Sequence, residues 1–311
     1  MLDNLDSNRV IDTEWERLGL IFSPQTQFDW SLTHAMVPTP FKVNNLYRIF
    51  YSGRNKFNQS SIGWFDIDLE NNCKIGEFSK TPVLEKGELG CFDDNGVTPS
   101  CIIKLRNGEL ALYYIGWNPG TTTRVNLFGG LAISKDNGKS FIRWSKAPIL
   151  ERNKQDPYIN TAPWVVEFNN EYRMYYVSGS EWIDKDSPRY NIKVATSQDG
   201  YKWERSGQVV LDFSTVNETA LARPFVVFDE GIWKMWVSSR VKNYSIVYAE
   251  SLNGLDWTRK DGNNCLKPSN LDYENVMTEY GVVVKGKEFS WLLYNGNNYG
   301  KDGVLIARKK H

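Results

Sequence analysis

Five times along its 311 residues the chain repeats one two-stranded pattern, and a repeat of this kind constrains the architecture before any single residue is considered. The segments NLYRIFYSGR (45–54), ELALYYIGW (109–117), EYRMYYVSGS (171–180), IWKMWVSSR (232–240) and FSWLLYNGN (289–297) are aromatic-rich strands ending in small or polar residues, about sixty residues apart. Each is preceded by another apolar run across a short turn: TPFKV-NN, CIIKL-RNG, WVVEF-NN, PFVVF-DEG and VVV-KGK. Asn and Gly accept positive φ cheaply, so these are hairpin turns. A third apolar strand follows at 60–69, 128–136, 190–199, 244–253 and 303–310.

Three strands and a short fourth make a four-stranded antiparallel blade, and blades repeated around an axis protect their sheet edges. The expected fold is therefore all-β, a five-bladed β-propeller of four-stranded antiparallel blades, forming one domain over 1–311. The last unit runs out of sequence after its third strand, so LGLIFSP (18–24) is expected to supply the missing outer strand and close the ring. An aromatic content of 14% suits this reading, because rings of that kind favour pleated strands. Three of the third strands run into near-identical turns, SKDNGKSF (134–141), SQDGYKW (197–203) and SLNGLDW (251–257). They resemble the Asp-box of sialidases and related propellers, so Asp136 and Asp199 read as turn residues.

Composition removes several function classes. Lys+Arg and Asp+Glu are equal at 37 each and no basic block stands out, which leaves no field to attract nucleic acid. The start, MLDNLDSNRVIDTEWERLG, is polar where a signal peptide has an apolar core, and no apolar run reaches bilayer length, so a cytoplasmic protein with no membrane span is expected. Cys73, Cys91, Cys101 and Cys265 form no CxxC pair and read as reduced thiols. With only His34 and His311 present, His-based zinc sites are disfavoured. Oxygen ligands for calcium are plentiful, yet no loop has ligand spacing, so no metal or cofactor is expected.

In a propeller the first strand of each blade lines the central channel, so polar residues just ahead of the five first strands are expected to converge on one funnel. These leaders carry Asp29 and His34; Asp93 and Asp94; Asp156, Tyr158 and Asn160; Glu218 and Arg223; Glu274 and Glu279. Glycosyl cleavage or transfer needs one carboxyl as proton donor and a second as base or nucleophile. Asp93 or Asp94 and Glu218 enter from well-separated blades and are the expected catalytic pair. The ends of the second strands add Arg54, Trp117, Glu181 with Trp182, Arg240, and Asn295 with Asn297. Arginines there suit a carboxylate or phosphate, and tryptophans suit a sugar face or a gap between blades.

The stretches EWERLGLIFSP, THAMVPTP, LYRIFYSGRN, DDNGVTPS, DPYINTAPWV, ALARPFV and LLYNGNNYG resemble a bacterial group of glycosyl-hydrolase-like five-bladed β-propellers. That group is similar to the invertase, arabinanase and mannoside-phosphorylase propellers, whose WMNDPNG, RDP and Glu-Asp-Pro-Arg motifs are absent here. The resemblance implies carbohydrate chemistry at the funnel on a sugar, a sugar phosphate or a nucleotide sugar, with Asp93 or Asp94 as a functional acid. An intracellular member would act as a transferase or phosphorylase in glycan synthesis. A non-catalytic glycan-binding propeller and a sialidase-like hydrolase are the alternatives, the latter needing six blades and a pocket Tyr–Glu pair.

Overall fold

The computed structural model describes residues 14–260, 262 and 264–311. The polar start read above lies outside the described residues as far as residue 13. The first strand, β1 (Glu16–Phe22), is followed by β2 (Thr33–Val43), β3 (Leu46–Arg54), β4 (Ser60–Asp68) and β5 (Lys74–Phe78). Next come β6 (Gly96–Lys104), β7 (Leu110–Pro119), β8 (Val125–Ser134) and β9 (Ile142–Arg143). The middle of the chain forms β10 (Asn160–Phe168), β11 (Glu171–Asp184), β12 (Ser187–Ser197) and β13 (Val209–Leu211). Then follow β14 (Ala220–Asp229), β15 (Ile232–Arg240), β16 (Tyr244–Ser251) and β17 (Thr258–Arg259), and finally β18 (Glu279–Lys285), β19 (Phe289–Asn295) and β20 (Val304–Lys310).

Among the described residues these strands pair antiparallel in five sets of four: β2 to β5, β6 to β9, β10 to β13, β14 to β17, and β18, β19, β20 with β1. The last set takes its outer strand from the other end of the chain, Leu20 pairing with Leu305 and Phe22 with Val304. Single parallel pairs join neighbouring sets at the entry of β6, β10 and β14: Ser60 with Gly96, Phe128 with Asn160 and Tyr190 with Ala220. No helix among the described residues is long and apolar enough to cross a membrane.

The turns form as their residues dictate. Between Phe168 and Glu171 both central residues, Asn169 and Asn170, take positive φ (49° and 60°), the geometry that matches strand twist. The Asp-box-like turns are also local devices. Asp136 Oδ1 accepts from the Lys139 and Ser140 amides at 3.0 Å each, and Asp199 Oδ1 accepts from the Tyr201 and Lys202 amides. Burial opposes ionisation of Asp136, but the Ser140 and Ser134 hydroxyls and these amides win and hold it at about 2.

Aromatic rings fill the seams between sets. Trp233 meets Phe168 edge-on at 4.8 Å, and Trp164 meets Phe225 at 4.6 Å while donating to the Val226 carbonyl. A buried ring of this size removes roughly 150–250 Å² from water, on the order of 4–6 kcal/mol. These seams lock the sets into one array and fix the space at its centre.

Candidate functional site

The leader acids do not converge on that space. Asp93, Asp156, Glu218 and Glu274 are buried, and each is fastened inside its own set. Asp93 Oδ2 accepts from Tyr114 Oη at 3.0 Å and pairs with Arg143 Nε at 2.8 Å. Asp156 accepts from Tyr176 Oη (3.0 Å) and Ser178 Oγ (2.9 Å) and pairs with Lys193 and Arg205. Glu218 accepts from the Ser239 hydroxyl and the Ser214 amide and pairs with Arg259 at 3.0 Å. Glu274 accepts from Tyr294 Oη and Ser269 Oγ, both at 2.6 Å, and pairs with Arg17 at 3.0 Å. One arrangement recurs: an acid from the leader, a hydroxyl from the second strand, and a cation from or near the outer strand.

The leader carries the chain from the outer edge of one set to the inner strand of the next, so this staple holds the crossover down. It also explains the small residues that end the second strands. A Cβ on Gly116 would stand 2.6 Å from Asp93 Cβ, and one on Gly53 would stand 2.8 Å from Ser31 Oγ. The first set is the exception to the ionic pattern: Ser31 Oγ meets Tyr51 Oη at 3.5 Å and no acid is involved.

The expected catalytic pair is placed as follows. Asp93 and Glu218 have their carboxylates in ion pairs in two different sets, and Asp94 is half-buried with Oδ2 accepting from the Gly90 amide. Asp156 is fastened as described. Asn160 donates to the Glu151 and Asp156 carbonyls, and Tyr158 lies beside Gly179 in the crossover. Glu181 pairs with Arg189 at 3.0 Å. Asn295 accepts from the Val37 amide and donates to the Ala35 and Gly303 carbonyls, tying the last set to the first. Asn297 Oδ1 accepts from the Val276 and Met277 amides, tying the loop after β19 to the leader before β18. The periodicity that suggested a funnel of acids belongs to the crossovers.

What does line the centre is a cavity of about 410 Å³ that receives residues from all five sets, among them Arg54, Trp117, Tyr190, Arg223, Tyr244 and Tyr280. Larger clefts of about 860 and 580 Å³ each lie at the seam between two sets. The first strands reach the central cavity through a local break in the ladder. Pairing shifts register between Met36 and Thr39, Thr161 and Trp164, Ala222 and Phe225, and Glu279 and Val282. Within those breaks Val37, Ala162, Arg223 and Tyr280 all hold positive φ (54°, 49°, 46° and 57°). For a β-branched or bulky residue this conformation is costly, and bulges of this type re-aim a side chain. The bulge puts Arg223 and Tyr280 on the cavity wall.

Arg223 is 1% exposed. Its Nη2 donates to the Pro38 carbonyl and Thr39 Oγ1 at 3.0 Å each and to the Ser100 carbonyl at 3.3 Å. Nε has no hydrogen-bond partner, and the guanidinium lies 5.3 Å from the Trp164 ring centre. Burial draws its pKa down to about 9, which leaves it cationic at neutral pH. Arg54 donates through Nη1 to Asn58 Oδ1 at 2.9 Å, and its Nε is also without a partner. His34 stands near Arg54; burial and then that charge lower it to about 4, so its imidazole is neutral at physiological pH. Trp117 lines the cavity and donates to Ser60 Oγ at 2.9 Å. Arg240 lies behind the wall, over the Tyr190 and Tyr244 rings, whose hydroxyls bond to each other.

Glu279, unlike Asp93, Asp156, Glu218 and Glu274, has no ion pair among the described residues. It is fully buried, both carboxylate oxygens lack a well-formed hydrogen bond, and desolvation pushes it well above the carboxylate range against the opposing pull of Tyr280. Burial thus disfavours its charged form, and it stands next to Tyr280, a phenol that burial likewise pushes well above its usual value. No Asp or Glu is among the residues lining the cavity. No group of three or more His, Cys, Asp or Glu among the described residues is placed to hold a metal.

Sequence reading missed Tyr190, Tyr244, Tyr280, Tyr299 and Arg124, which all line the cavity. Two signals marked them. Tyr190 and Tyr244 head the third strands at one register, YNIKVATS and YSIVYAES, and Tyr280 repeats the place of Arg223 in ARPF and EYGV.

Solved structures of similar shape define the class. The chain superposes on a structure described as a glycoside hydrolase with a TM-score of 0.77 and 19% identity, covering 96% of this chain and 92% of that one. A thermostable family-43 glycoside hydrolase gives 0.68 at 20% identity, over 88% of each chain. A structure from the GH130 family of mannoside phosphorylases, which contains glycoside hydrolases that target β-1,2 mannosidic linkages in Candida mannan, gives 0.70 at 14% identity over 96% and 92%. The fold is that of the propeller-type glycoside hydrolases. No family model matches the chain. Uncharacterized protein Rv1502 of Mycobacterium tuberculosis strain H37Rv is 36% identical over 295 residues, 94% of this chain and 98% of its own length. Uncharacterized protein MT1551 of strain CDC 1551 matches to the same extent. The chain belongs to the family of these mycobacterial proteins.

Proposed function

We propose that the protein is a carbohydrate-active enzyme that cleaves or transfers a glycosyl group within the central cavity of a single-domain, five-bladed propeller. The observation that carries this reading is the cavity itself: every set contributes to it, Trp117 and four tyrosines wall it, and the buried Glu279 backs Tyr280. Aromatic faces suit the apolar face of a sugar ring, and phenols suit its hydroxyls. Likeness to glycosidases and mannoside phosphorylases supports the same class.

In this reading Tyr280 donates its proton to the glycosidic oxygen as the anomeric C–O bond breaks, and takes a proton from Glu279. A carboxyl held neutral by an apolar site is the acid such a step needs. The incoming water, phosphate or sugar hydroxyl bonds to the anomeric carbon and gives its proton to solvent, because His34 is not among the residues lining the cavity. The cycle closes when a proton returns from solvent to Glu279 before the next turnover. Asp93, Asp156 and Glu218 act as structural fastenings. The four free cysteines support a reducing compartment such as the cytoplasm.

The test is turnover of a panel of glycosides, glycosyl phosphates and nucleotide sugars by the full chain. Tyr280→Phe is expected to lower turnover about a hundredfold, and Glu279→Gln to lower it as well, while ligand binding persists. A second reading, a glycan-binding protein without turnover, is favoured by the lack of an acid among the lining residues; it predicts sugar binding and no product from any donor. A sialidase-like hydrolase finds support in the Tyr280–Glu279 pair and the arginines, but its six blades are not matched by five strand sets.

A further inference from the structure

We propose that the cavity holds an oxyanion site, in which Arg223, Arg54 and Arg124 receive a phosphate or carboxylate carried by the sugar. The inference deepens the reading of the cavity as the sugar site and rests on it. Three arginines line the cavity and no acid does. None of the three makes an ion pair among the described residues; Arg124 is exposed, but Arg54 is half-buried and Arg223 buried, and the buried arginines of the staples, such as Arg17 and Arg205, pair with an acid. A buried cation without a counter-charge is costly, because protein carbonyls solvate it only in part.

Arg223 bears that cost at the centre of the molecule. Its Nη2 is held by carbonyl and hydroxyl groups from the first and second sets, but Nε has no partner. Its backbone is kept in a left-handed conformation at φ 46° by the bulge that brings it to the wall. The neighbouring acidic groups are neutral and do not balance the charge: burial raises the Cys101 thiol to about 12 and holds Tyr280 as a phenol. An oxyanion on the ligand would supply the missing charge and accept from the guanidinium edges that Arg223 and Arg54 bring to the cavity wall. A volume of about 410 Å³ falls within the range of roughly 300–1,000 Å³ common to small-molecule sites.

Calorimetric titration of the full chain with matched probes tests this. The probes are glucose, glucose 1-phosphate, glucuronic acid, UDP-glucose and inorganic phosphate, each at low and high salt. At least one anionic sugar is expected to bind about tenfold or more tightly than glucose, with affinity falling as salt rises. The pattern among glucose 1-phosphate, UDP-glucose and glucuronic acid separates phosphate from carboxylate as the charged group. Arg54→Gln and Arg124→Gln should each weaken the anion about tenfold and leave glucose unchanged, while Lys146→Gln, on the outer rim, changes neither. Arg223→Gln is expected to weaken it further; if that variant does not fold, the other two decide. Equal affinity for glucose and its charged forms overturns the oxyanion site and leaves the sugar reading standing. Binding of inorganic phosphate that Arg54→Gln abolishes, with no sugar bound, upholds the oxyanion site and removes the sugar reading. No binding by any anionic probe overturns the proposal.

Discussion

Two rings of repeated side chains run through this molecule, and they behave in opposite ways. In the outer ring every buried carboxylate meets a cation and a hydroxyl, as Asp156 does with Lys193, Arg205, Tyr176 and Ser178. In the inner ring charge is left open: Arg223 and Arg54 carry partnerless Nε groups, and Glu279 is a buried acid with no ion pair among the described residues. The outer ring is closed chemistry that holds the crossovers. The inner ring leaves hydrogen-bonding capacity unused beside the central cavity, and it does so on strained backbone at Arg223 and Tyr280. Repetition alone therefore does not mark function, since both rings repeat. What separates them is whether the polar groups are already satisfied.

Substitutions in the two rings should fail in different ways. Asp156→Ala leaves two cations buried without their acid, and a loss of about 3–5 kcal/mol is expected in denaturant unfolding, with ligand affinity unchanged in the folded fraction. Loss of binding without loss of stability would instead put Asp156 at the site. Tyr280→Phe should do the reverse, lowering turnover by about a hundredfold, equivalent to about 2.7 kcal/mol, while unfolding shifts little.

Acid titration probes both rings through groups of opposite sign. For Glu218, burial pushes the pKa up, but the Ser239 hydroxyl, the Ser214 amide and Arg259 prevail and hold it below the usual value. Its stabilisation is thus present above the unfolded value, about 4.3, and is lost as pH falls through the lower folded value. Glu279 runs the other way: its folded pKa is raised, so its burial costs nothing below about 4.3 and increasingly more as pH rises towards the folded value, by about 1.4 kcal/mol per unit. Stability measured from pH 4 to 8 should fall less steeply with rising pH in Glu279→Gln than in the parent. The smallest effect is expected in the first set, where Ser31 and Tyr51 stand in for the ionic staple. Ser31→Ala should cost about 1 kcal/mol, and a loss as large as that of Asp156→Ala would mean that the ion pairs contribute no more than one neutral hydrogen bond.

Much of the backbone was legible. The five hairpins read from alternation and turn residues correspond to β2–β3, β6–β7, β10–β11, β14–β15 and β18–β19, and the outer strand expected near 18–24 appears as β1 against β20. The aim of individual side chains was not legible. Placing Asp93, Asp156 and Glu218 at the axis assumed that a residue ahead of the first strand faces inward, but the leader runs over the top of its own set and turns those acids into it. Arg223, Arg54 and Trp117, by contrast, do line the cavity: Arg54 and Trp117 stand towards the ends of the second strands β3 and β7, and the bulge in β14 turns Arg223 onto the wall.

From sequence alone came the repeat, its strand order and the turn chemistry, because these follow from local periodicity and from which residues tolerate positive φ. The division between satisfied and unsatisfied polar groups came only from the tertiary structure. A one-residue bulge reverses the face of everything after it, and a carboxylate is closed or open according to partners as remote as Arg17 and Glu274.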